Sequence, residues 1–137
     1  MIYPYISLNG KCKEAMHFYE EIFNGEIQHL IPYGNYIPKG WDNPPENLAE
    51  WIIHGVMEIC EIDFWFIDEI QPLSSGNMIK FAITVENDEL CNQYFDKLKA
   101  EGNVNLPPTE THYSTFNAIV TDKYGICWNI VSDEIPD

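Results

Sequence analysis

The 137 residues carry 22 Asp and Glu against 7 Lys and no Arg, for a formal net charge of -15. Such a surface repels polyanions and excludes nucleic acid as a partner. The absence of Arg removes the planar fork that grips phosphate or carboxylate in bidentate fashion, so an anionic ligand would depend on Lys or backbone amides.

Ile2 to Leu8 reads as the first strand. After the turn at Asn9 and Gly10, Ala15, Phe18, Tyr19 and Ile22 fall at helical spacing, and Asn24 and Gly25 stop that helix. Glu26 to Tyr33, Glu50 to Met57 and Cys60 to Ile67 follow as strands rich in Ile, Val, Trp and Phe. The segment from Gly34 to Leu48, with Pro38, Gly40, Pro44 and Pro45, is long for a connection, which suits either a lid or a plain surface excursion. Pro72 to Asn77 reads as a linker.

Met78 to Val85 then opens a second, similar series. Cys91, Tyr94, Phe95 and Leu98 repeat the stripe of the first helix, Gly102 ends it, and strands are expected at Asn103 to Leu106, Thr115 to Thr121 and Ile126 to Val131. Asp122 to Gly125 is a tight-turn signal between the last two. The chain is therefore expected to be α+β, one domain over 1-137 made of two βαβββ modules, 1-71 and 77-137. Cys12, Cys60, Cys91 and Cys127 are widely spaced without a C-x-x-C pair, so they read as reduced thiols. No apolar run reaches the length of a membrane span and the N-terminus does not resemble a secretion signal, giving a cytoplasmic expectation with no membrane partner.

The stretch P-Y-I-S-L-N-G-K-C-K-E-A-M-H-F-Y-E-E-I-F-N-G-E from Pro4 to Glu26, the later P-T-E-T-H-Y, and F-N-A-I-V-T-D-K-Y-G-I-C-W from Phe116 to Trp128 carry a resemblance through nearly the whole chain. The sequence resembles the PhnB-like branch of the glyoxalase, bleomycin-resistance and extradiol dioxygenase superfamily, also called vicinal oxygen chelate. That resemblance implies a curved mixed sheet enclosing a cleft, and in metal-dependent members a divalent ion held by residues of a module's first and last strands. Here the matching positions fall at Pro4, at Met78 or Lys80, and at Asn129 in the D-x-x-G-x-x-x-E pattern started by Asp122 and Gly125. Proline, methionine, lysine and an amide are poor donors for such an ion, so no metal and no other cofactor is expected.

The candidate cleft residues are His54, Glu110, His112, Trp128 and Asn129, with His54 and Glu110 as candidates for acid-base work. Glu110 and His112 share one face if their segment is extended. His17 and His29 read as surface or rim residues, and Cys127 as a small buried hydrophobe rather than a nucleophile. No glycine-rich phosphate loop or G-x-S-x-G elbow is present, so the methyltransferase label that some PhnB-like relatives carry has no supporting motif here. The favoured reading is a small-molecule binder with an aromatic-lined cleft and no metal. The alternatives are a metal-dependent lyase, isomerase or dioxygenase with non-standard ligands, and a structural or regulatory dimer. Exposed sheet edges, together with the resemblance, lead to the expectation of a homodimer.

Overall fold

One apolar stripe per helix and alternating side chains per strand build two four-stranded mixed sheets in the computed structural model, which describes residues 1–137. The chain divides into two units, Met1–Leu73 and Ser74–Asp137.

The first unit runs β1 (Tyr5–Leu8), α1 (Cys12–Phe23), β2 (Glu26–Pro32), β3 (Ile52–Ile59) and β4 (Ile62–Asp68), with strand order β1-β4-β3-β2. β1 lies parallel to β4, and the remaining pairs are antiparallel. Helix α1 buries Cys12, Ala15, Met16, Tyr19, Ile22 and Phe23, a stripe worth about 1.5–3 kcal/mol for each large side chain. Tyr19 meets Phe66 at 6.2 Å between ring centroids. Gly55 has a packing reason, since a Cβ there would lie 2.7 Å from the Met16 sulfur. Asn24 ends the helix in the left-handed conformation at φ 53, which Asn tolerates better than most residues.

The excursion between β2 and β3 is tied down at its root. Tyr33 N–H donates to the Trp51 carbonyl at 2.8 Å and Gly34 N–H to the Ala49 carbonyl at 3.1 Å. Tyr33, Leu48 and Trp51 are buried together, and Trp41, Ile53 and Ile70 pack against them. The excursion thus has a small apolar core of its own.

The second unit repeats the order: β5 (Phe81–Val85), α2 (Asp88–Lys99), β6 (Asn103–Thr109), β7 (Asn117–Thr121) and β8 (Cys127–Ser132), with strand order β5-β8-β7-β6. Asn87 caps α2, its side chain accepting the Leu90 N–H at 2.9 Å. Asp88 and Glu89 stand in the first turn and Lys97 and Lys99 in the last, so both ends oppose the helix dipole favourably. Cys91, Phe95 and Leu98 are its buried residues. Pro107 and Pro108 fit in β6 because it is an edge strand with irregular pairing to β7.

Several boundaries differ from the sequence expectation. β1 starts at Tyr5, not Ile2, and β5 at Phe81, not Met78; Met78 is 92% exposed and has nothing to pack on. Cys60, expected inside a strand, forms a two-residue hairpin turn with Glu61, both at positive φ (50 and 69). Two positive-φ residues in sequence match the twist of the flanking strands, which is why this turn forms without glycine. Glu101 (φ 58), not Gly102, takes the left-handed position after α2. Gly102 is required instead by close approach, because a Cβ there would run into the Thr121 carbonyl oxygen. No helix is long and apolar enough to cross a membrane.

Candidate functional site

Period-two alternation separates the residues of β3 and β4 by face. Phe64 and Phe66 point to the α1 side and are 5% and 0% exposed, so Trp65 between them points the other way. Register places Trp65 opposite Val56, and four rings gather with it on that open face. Tyr3 stacks on the indole at 4.7 Å, Tyr5 meets it edge-on at 5.8 Å, and His54 meets it edge-on at 5.0 Å. His29, from the neighbouring β2, stacks on His54 at 6.5 Å.

This face combines apolar ring surface with two imidazoles able to donate or accept a proton. Tyr5 is shifted toward its neutral phenol by partial burial and by the charge of Glu69, so its hydroxyl keeps its proton near neutrality. Of the candidates read from sequence, His54 belongs here. His29, Tyr3, Tyr5 and Trp65 were missed as a set, because Phe64 to Phe66 is apolar on both sides and the pairing of β2 with β3 is not readable from spacing.

The other candidates lie in the second unit. Asn129 sits on β8 and faces away from α2; its amide donates to the Asn117 side-chain oxygen at 2.6 Å and to the Ala118 carbonyl at 2.9 Å. Asn117 in turn donates to the Tyr113 hydroxyl at 2.8 Å. Trp128 does not share that face. It is fully buried, and its indole N–H donates to Asp122 at 2.8 Å, as alternation along a strand requires of adjacent residues. Asp122 also accepts the N–H groups of Tyr124 and Ile126, so the D-x-x-G element serves the β7–β8 turn.

Glu110 and His112 are not on one extended strand. β6 ends at Thr109, and Thr111 N–H donates to the Ser114 carbonyl at 2.9 Å, folding the segment into a turn. Both are exposed beside an open depression shared with Tyr113 and Pro136. His17 is exposed on α1, 3.3 Å from Glu20. Cys12, Cys91 and Cys127 are buried and Cys60 is exposed, all as free thiols. Burial pushes the Cys91 thiol up to about 11, helped by Asp88, which suits an inert core thiol.

The divalent ion implied by the fold family does not fit these donors. Met78 and Lys80 stand before β5, and Lys80 Nζ donates to the Asn77 carbonyl. Asn129 spends both amide hydrogens on its own sheet. Within neither unit do three His, Cys, Asp or Glu side chains come together as a ligand set.

Two βαβββ units, each a mixed sheet with one helix on one face, are the architecture of the glyoxalase superfamily. The chain belongs to the PhnB-like family described as 3-demethylubiquinone-9 3-methyltransferase, whose model matches residues 1–131. It is 26% identical over 136 residues to protein YjdN of Escherichia coli K12, covering 93% of this chain and 91% of YjdN. Among solved structures it is similar to the PhnB protein from Bacillus cereus, with 24% identity, a TM-score of 0.82, and 96% and 98% of the two chains covered. Protein PA1353 from Pseudomonas aeruginosa gives 21%, 0.82, and 97% of each chain. The fosfomycin resistance protein FosX from Listeria monocytogenes shares the fold at 10% identity and a TM-score of 0.66, over 96% and 88% of the chains.

Proposed function

We propose that this protein binds a small organic molecule without the divalent metal used elsewhere in the superfamily, and that the ligand rests on the ring-lined face of the first sheet. The observation that carries this reading is the grouping of Tyr3, Tyr5, His29 and His54 around Trp65 on the face opposite α1. Flat ring surface with a few polar atoms at its edge is what ligand sites offer. His54 and His29 supply the groups for orienting a ligand or moving a proton. The methyl transfer in the family's description is not carried over, because the chain has no glycine-rich cofactor loop.

A thermal-shift screen of small aromatic and carbonyl compounds tests this. A ligand of the folded state raises the melting temperature by mass action, and Trp65→Ala or His54→Ala should abolish the rise while leaving the unliganded transition cooperative. Hits unaffected by both substitutions would sink the assignment to this face. The metal-dependent alternative predicts a stoichiometric divalent ion in protein purified without chelators. The same proposal includes a homodimer, supported by the edge strand β2 with Ile31 exposed; a monomeric mass by light scattering at micromolar concentration would refute it.

A further inference from the structure

The first unit has a cavity on the opposite side of its sheet from the ring-lined face. It is open, about 620 Å³, and lies between α1, β2 and the root of the long excursion, within the size range of about 300–1,000 Å³ common to small-molecule sites. Leu30, Pro32, Ile52 and the Trp51 ring give it an apolar floor, and Lys13, Glu14 and Glu50 stand at its rim. Leu30 pairs with Gly55, whose α-carbon faces Met16 of α1, which fixes the cavity on the helix side.

Trp51 supplies the feature that points to a ligand. The side chain is 8% exposed, yet its indole N–H has no hydrogen-bond partner in the protein. No buried side-chain nitrogen or oxygen is sealed without a partner, so the Nε1–H is reachable, and the nitrogen edge of the ring lies beside Gly10, which lines the same cavity. A donor this enclosed gains from an acceptor that displaces loosely held water. The ring is also fixed in place, since Gly10 lies against it so closely that a Cβ would fall 2.7 Å from the indole. Gly10 is free to do this at φ +79.

We propose that this cavity binds an uncharged organic molecule with an apolar ring and a carbonyl-type oxygen that accepts the Trp51 Nε1–H. Two features argue for a neutral ligand: Glu14 and Glu50 outnumber Lys13 at the rim and oppose an anion, and the Trp51 N–H, a donor only, offers an ammonium no acceptor. This site is independent of the ring-lined face and stands or falls separately.

The test is a titration of uniformly ¹⁵N-labelled, assigned wild-type protein with acetophenone, benzoate and benzylammonium, following the four indole N–H signals. Acetophenone should move the Trp51 signal, with benzoate and benzylammonium binding about tenfold more weakly there, as one lost hydrogen bond or one adverse charge produces. Ala49→Trp, at an exposed rim position, should block the movement, and Glu50→Trp serves as a second cap should the first not fold. A Trp51 signal that stays still at millimolar acetophenone, or moves equally in a capped variant, would overturn the site. Equal response to all three probes would overturn the neutral-ligand assignment. Movement of the Trp65 signal alone would assign binding to the other face and refute this one.

Discussion

Asp68 anchors the start of the first helix, its Oδ1 accepting the backbone N–H of Cys12 at 3.1 Å. Its Oδ2 takes the Ile52 N–H at 2.9 Å, so one buried carboxylate joins α1, β3 and β4. The charge lies where the helix dipole favours it. Asp68→Ala would strand both N–H groups, costing about 1–3 kcal/mol for each, and Asp68→Asn should cost less because one acceptor survives. Urea denaturation measures both, and an Asp68→Ala midpoint equal to wild type would refute the role.

Tyr33 donates its hydroxyl to the Asp68 carbonyl at 2.6 Å, and its phenol is pushed up to about 12 by burial and by the Asp68 charge. Because the folded value lies above the unfolded one, this contribution is whole below the unfolded value near 10. It is lost as pH rises toward 12. Tyr33→Phe should therefore destabilise by about 0.5–1.5 kcal/mol at neutral pH and flatten the alkaline limb of the stability curve. An alkaline limb as steep as wild type would count against this.

Asn129 faces two acceptors, the Asn117 side-chain oxygen and the Ala118 carbonyl. Asn129→Asp replaces a double donor by a carboxylate, with an expected loss of about 1–3 kcal/mol at neutral pH. The introduced acid should have a raised folded value, so the loss should shrink in acid, where the protonated group donates again. Thermal melts at two pH values decide the matter; a pH-independent loss would mean packing alone is at fault.

Cys60 and Glu61 occupy left-handed backbone at φ 50 and 69, a conformation that costs ordinary residues about 1–2 kcal/mol. Replacing the pair by Asn-Gly, which this turn favours, should stabilise the protein by about 1 kcal/mol. Differential scanning calorimetry checks it, and a lowered melting temperature would show that the turn is held by something else.

The helices were legible because their stripes recur within the chain. Ala15, Tyr19 and Ile22, and Cys91, Phe95 and Leu98, are buried, though Met16 joins them and Phe18 and Tyr94 lie only partly inside. The Asp122 to Gly125 turn was legible from residue chemistry alone. The face of Trp65 was not, since a strand apolar on both sides gives no alternation to read. The separation of Trp128 from Asn129 follows from alternation alone, since adjacent strand residues point to opposite faces and cannot share one wall. Glu110 and His112 went astray because the hydrogen bond that turns Thr111 back to Ser114 leaves no mark in spacing.

With the other three cysteines buried, the exposed thiol of Cys60 at the β3–β4 turn is a natural attachment point for a single reporter. Its thiol is shifted upward by partial desolvation at the turn and by Glu61, so little thiolate exists at neutral pH and maleimide coupling should be slow there, quickening in mild base. A spin label or fluorophore installed at this tip would report whether copies associate, without touching the rings around Trp65 or the cavity beside Trp51.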